Sequence, residues 1–130
     1  MRYITPLKAA RGTGAAGPST GTLHHWVLTV TSVALAILTP AFLLVMGNAI
    51  GLPRAGVLAY FSQPYPAIVT ALFLIVGMYH FVKGTRNMID DYLSHTERKV
   101  AIIFSEIFGW AVIAAAGYAL ARMALTAVIV

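Results

Sequence analysis

The stretch from Trp26 to Met46 reads WVLTVTSVALAILTPAFLLVM, a run without a single charged residue. A hydrocarbon core about 30 Å thick is crossed by about 20 apolar residues of helix, so this segment is long enough to span a membrane. Nothing between Arg11 and Arg54 is charged, and no acidic residue precedes Asp90. The rest of the chain has the same character: of 130 residues 59% are hydrophobic and only 10% charged, with mean hydropathy +0.81. Such a composition excludes the ordinary soluble domain and makes this an all-α integral membrane protein.

Working outward, three spans are expected at about residues 26–46, 66–89 and 100–122, preceded by a basic, glycine-containing arm over residues 1–22. The three-helix transmembrane domain then occupies residues 23–130. Residues 47–65, GNAIGLPRAGVLAYFSQPY, are rich in Gly and Pro and make the first connection, with room for a short interfacial helix at Val57 to Phe61. The second connection, Asp90 to Lys99, is polar throughout most of its length. Pro40 lies inside the first span and predicts a kink there.

Charge sets the expected orientation. With three spans, Arg2, Lys8, Arg11, Lys83, Arg86, Arg98 and Lys99 fall on one side and Arg54 and Arg122 on the other, which places the N-terminus inside and the C-terminus outside. The formal charge of +5 thus reads as a topology signal at the ends of apolar runs, with no nucleic acid partner expected. No signal peptide is expected, because the charged region is too long and a full-length span follows it without a clear cleavage site. The arm's basic, acid-free composition also suits a mitochondrial presequence, which leaves a eukaryotic origin open. With no cysteine, the chain has no disulfide, thiol nucleophile or Cys-bound iron–sulfur centre of its own.

Polar residues inside an apolar span are costly, and they point to function. His80 sits within ALFLIVGMYHFVKGTRNMIDDY, residues 71–92. On a helix with about 3.6 residues per turn, Asp91 falls about 20° from His80, and Phe73, Gly77 and Gly84 fall within about 60°. Glycines beside a histidine admit a neighbouring helix or a flat macrocycle such as haem; hydrogen bonding of His80 across a helix pair accounts for the same spacing. Asp90 and Asp91 oppose the dipole at a helix C-terminus, and Tyr92 offers a phenol at the membrane surface, where a quinone carbonyl or simply solvent would meet it. His24 and His25 belong at the headgroup level. Thr29, Thr31 and Ser32 are able to hydrogen-bond across helices, Glu106 is expected to pair with a basic or partner group, and Ala111, Ala115 and Ala119 form a small-residue seam for packing.

The run Tyr79-His80, Gly84, Ile89-Asp90-Asp91-Tyr92, with GT-x-H-H-W over Gly21 to Trp26, resembles the hydrophobic membrane anchor subunits of succinate dehydrogenase, in particular the alphaproteobacterial and mitochondrial D type. The resemblance covers most of the chain. It implies that His80 is an axial ligand of haem b, with its second ring nitrogen left to an acceptor, and that Asp91 and Tyr92 belong to the ubiquinone site. It implies no catalytic residue here: FAD and the iron–sulfur clusters would reside on a flavoprotein and an iron–sulfur subunit, and the second haem ligand on another cytochrome b-type anchor. The sequence departs from the family in one respect. Where an Arg often follows the opening His near the haem propionates, Val27 to Ser32 has no basic residue, so His24, His25 or the partner must neutralise them, or the haem is held differently or is missing. A fumarate reductase anchor and a non-redox membrane subunit using His80 and Asp91 as a proton relay remain as alternatives.

Overall fold

The computed structural model describes residues 20–129, so all but the last part of the N-terminal arm lies outside the described residues. The fold is all-helical: α1 (Thr20–Ala49), α2 (Arg54–Phe61), α3 (Pro64–Tyr92) and α4 (His95–Ile129). Three of these are long and apolar enough to cross a membrane, over Leu23–Ala49, Pro64–Tyr92 and His95–Thr126. Each expected span is present, and each helix runs past the limits drawn from hydropathy. Helix continues through Pro40.

Local chemistry explains the breaks. After α1, Gly51 takes φ +84°, a left-handed conformation that closes helices without the steric cost a side chain would add. Pro53 then precedes α2, the short helix anticipated in the first connection, which begins three residues earlier than expected, at Arg54. It ends at Ser62, whose backbone N–H donates to Leu58 O at 3.1 Å while Gln63 N–H donates to Tyr60 O at 3.1 Å. Pro64 occupies the first turn of α3, where the N–H it lacks would have no helical partner anyway.

The second connection differs from the expected loop over Asp90 to Lys99. Helix α3 continues to Tyr92 and α4 starts at His95, leaving only Leu93 and Ser94 between them. The polar residues there are helix ends exposed to water, and polarity alone does not separate that case from a loop. His95 makes the tight corner with φ 51°.

Helix α3 is central. It packs antiparallel against α1 on one side and α4 on another, while α2 lies chiefly against α4. Phe42 and Phe73 stack with ring centroids 4.0 Å apart between α1 and α3, near the fully buried Val45 and Pro66. Against α4, Val82 and Ile89 are buried on the α3 side and Ser105 and Gly109 on the other. Among the described glycines Gly109 is the most tightly covered, since a Cβ there would lie 2.5 Å from Val82 Cγ2. By contrast Ala111, Ala115 and Ala119 are exposed, so the alanine seam does not form the internal packing line. Large apolar side chains such as Ile37, Leu44 and Phe104 are about 70% exposed (69%, 69% and 71%), an arrangement stable only where lipid or another protein replaces water.

Candidate functional site

Antiparallel packing of α1 on α3 aligns two polar stripes. On α3, His80, Gly84, Asn87 and Asp91 are spaced by four, three and four residues and therefore run along one line of the helix. On α1, His24 and Thr31 stand seven residues apart. The two lines meet twice: Thr31 Oγ1 is 2.7 Å from His80 Nδ1, and His24 Nε2 is 2.6 Å from Asn87 Oδ1. Seven residues separate the contacts on both helices, or about 10 Å of rise, so the Thr31–His80 contact lies two turns deeper than the His24–Asn87 contact. Farther along the pair, Leu35 Cδ2 would be 3.7 Å from a Cβ on Gly77, an ordinary contact.

His80 is half-buried, as is Thr31. Thr31 Oγ1 also lies 2.8 Å from Val27 O and 3.1 Å from Leu28 O in its own helix. Thr29 and Ser32, the other hydroxyls considered for cross-helix bonds, only fold back on α1, donating to His25 O at 3.0 Å and Leu28 O at 2.8 Å. Asn87 was not singled out by sequence reasoning. Its signal was available, since an amide seven residues after His80 falls on the same stripe.

Beside His80 the surface is open. A Cβ at Gly84 would meet nothing within 4 Å, so of the two glycines expected to admit a neighbour, Gly77 is covered by α1 and Gly84 is uncovered. Asp91 is exposed and Tyr92 is 83% exposed; neither makes a hydrogen bond among the described residues. Asp90 instead receives a 2.6 Å bond from Arg98 Nε, tying α3 to α4 across the corner. Glu106 pairs as anticipated, with Lys83 Nζ at 3.4 Å, and Lys83 also sits 5.4 Å from the centroid of the Tyr79 ring. His25 and His95 are exposed.

A resident metal group can be tested against these residues. No three His, Asp or Glu side chains converge among the described residues, which therefore offer no self-contained metal cage. Next to the open backbone surface of Gly84 they offer the His80 imidazole, with Nδ1 engaged by Thr31. A single imidazole of this kind is a donor that would suit haem iron, and it does not by itself make a metal site. The described cavities between α3 and α4, lined in one case by Phe81, Ile89 and Phe108 and in another by Tyr79, Lys83 and Glu106, do not include His80.

Comparison with known proteins identifies the family. Residues 1–121 match the family of "Succinate dehydrogenase/Fumarate reductase transmembrane subunit". The chain is 64% identical over 130 residues, covering 100% of itself and 99% of the relative, to the succinate dehydrogenase hydrophobic membrane anchor subunit of Paracoccus denitrificans. It is 30% identical over 91 residues, 65% of this chain and 70% of the relative, to the subunit of that name from Rickettsia typhi, and equally to that from Rickettsia prowazekii. No solved structure matches it. With three apolar helices and a match over nearly its whole length, the chain belongs to the family of succinate dehydrogenase and fumarate reductase transmembrane subunits.

Proposed function

We propose that this chain anchors a succinate:quinone oxidoreductase in the bacterial inner membrane, or the mitochondrial one if its source is eukaryotic. His80 would hold the iron of haem b, and Asp91 and Tyr92 would form part of the site of ubiquinone reduction. The N-terminus and the α3–α4 corner face the cytoplasm or matrix, the side that gathers seven of the nine basic residues. There the anchor holds the flavoprotein and iron–sulfur subunits, which carry FAD and the clusters and oxidise succinate to fumarate. A second cytochrome b-type anchor covers the exposed apolar faces and supplies the other haem ligand.

The observation that carries this reading is the single line on α3 that holds His80, Gly84, Asn87 and Asp91, beginning inside the apolar span and ending at its polar rim. Haem b, when bound, supplies a one-electron carrier within the membrane. Asp91 lies eleven residues from His80, about 16 Å along the helix axis, at the level where a lipid-soluble quinone meets water. Tyr92 O–H donates a hydrogen bond to a quinone carbonyl, which stabilises the negative charge that develops as the ring is reduced. The exposed Asp91 carboxylate holds a proton-carrying water beside it. Two electrons from the iron–sulfur partner and two protons from the cytoplasmic or matrix side convert quinone to quinol.

Tyr92→Phe tests the quinone assignment in the purified complex. Quinone reduction is expected to fall while succinate oxidation with a soluble artificial acceptor persists. Unchanged quinone kinetics would remove Tyr92 from the site.

A further inference from the structure

We infer that Thr31 is a positioning residue for His80: its hydroxyl oxygen accepts the Nδ1 proton, fixes the imidazole plane and tautomer, and leaves Nε2 as the ligating atom. This rests on the proposed haem site. The argument is a proton count. Thr31 Oγ1 has three neighbours at hydrogen-bond distance, Val27 O at 2.8 Å, Leu28 O at 3.1 Å and His80 Nδ1 at 2.7 Å, but a hydroxyl carries one hydrogen. Backbone carbonyls only accept. If the hydroxyl donated to Nδ1, its lone pairs would face the Val27 carbonyl at 2.8 Å with no proton between them. The hydrogen therefore goes to the backbone, and Nδ1–H donates to Oγ1.

The neutral ring then has its lone pair on Nε2, which makes no hydrogen bond among the described residues. An N–H bonded to an acceptor also makes the opposite nitrogen a more basic ligand, an effect that favours oxidised iron over reduced iron. Among the described residues Thr31 is the one cross-helix partner of His80, and its neighbours Thr29 and Ser32 point their hydroxyls at their own helix. The bond spans α1 and α3, so the orientation of the ligand depends on how these two helices dock.

Thr31→Val keeps the shape and removes the acceptor; Thr31→Ser keeps the acceptor and removes a methyl group. In the complete membrane complex, two readouts apart from turnover decide the matter: the midpoint potential of the b-type haem by redox titration, and the rate at which haem passes to excess apomyoglobin. Thr31→Val is expected to raise the potential and to weaken haem retention by roughly 10- to 100-fold, with Thr31→Ser close to the parent protein. A potential and retention unchanged in Thr31→Val, or a Thr31→Ser complex as impaired as Thr31→Val, overturns the inference. Thr31→Ala, which leaves space in place of filling it, takes the same two measurements if the valine variant does not assemble. If the parent complex has no b-type haem, or keeps it in His80→Ala, the proposed site itself fails; a haem lost in His80→Ala but indifferent to Thr31 defeats only the present inference.

Discussion

Adding one methyl group at Gly109 should force apart the two helices that frame the lower half of the bundle. The new Cβ would lie 2.5 Å from Val82 Cγ2, whereas carbon atoms in good contact sit at about 3.5–4.0 Å, so a gap of about 1 Å has to open. Val82 has little freedom to yield: it is 6% exposed, and valine in a helix keeps one χ1 rotamer about 90% of the time. Overpacking of this kind costs about 1–3 kcal/mol, against about 0.5–1 kcal/mol gained when Ala replaces Gly within a helix. A net loss centred on about 1 kcal/mol follows. Gly77→Ala is the control, because its Cβ would meet Leu35 at an ordinary 3.7 Å and only the gain applies. The assay is thermal unfolding of the detergent-solubilised complex, with protection of this chain from proteolysis separating its transition from those of the soluble subunits. Val82→Ala removes the obstructing carbon and should restore part of the loss when combined with Gly109→Ala. A Gly109→Ala chain as resistant as the parent, or a double variant showing no coupling between the two positions, would refute the packing argument.

Two further outcomes concern polar groups within the helices. Thr70 is buried at 7% exposure and its Oγ1 has no hydrogen-bond partner among the described residues, so Thr70→Val should raise stability in the same assay by about 1 kcal/mol; a clear loss would mean the hydroxyl has a partner in the assembled complex. Lys83 and Glu106 form a partly exposed pair at 3.4 Å with side chains 24% and 34% exposed. Lys83→Met or Glu106→Gln alone should destabilise the chain by about 1–2 kcal/mol by leaving one charge unmatched near lipid, and the double variant should lose less than the sum; strict additivity would show that the two do not interact.

The spans were legible because a bilayer imposes a length, and a charge-free run from Trp26 to Met46 meets that length regardless of tertiary detail. The short α2 was legible from the Gly and Pro that bracket it. The α3–α4 corner was not, since Asp90, Asp91, Arg98 and Lys99 are as polar on a helix projecting from the membrane as in a loop, and only Leu93 and Ser94 turned out to be outside helix. The alignment of His80 with Asp91 followed from helical geometry alone. Which of Thr29, Thr31 and Ser32 would reach across did not, because all three satisfy their hydroxyls on their own backbone and only the register between α1 and α3 brings Thr31 to His80. For the same reason three alanines four residues apart suggested a packing line, whereas the tight contact belongs to Gly109. Small-residue spacing marks a surface that permits close approach and says nothing of which partner approaches it.

The claim at the centre of this account is that His80 holds haem iron for the complex, and the visible absorption spectrum of the dithionite-reduced complex tests it most directly. The parent complex and Tyr92→Phe should both show the sharp α-band of a b-type haem at one haem per anchor pair, and His80→Ala should lack it while still containing this chain and its partner subunits. A full b-type band in an assembled His80→Ala complex would contradict the account.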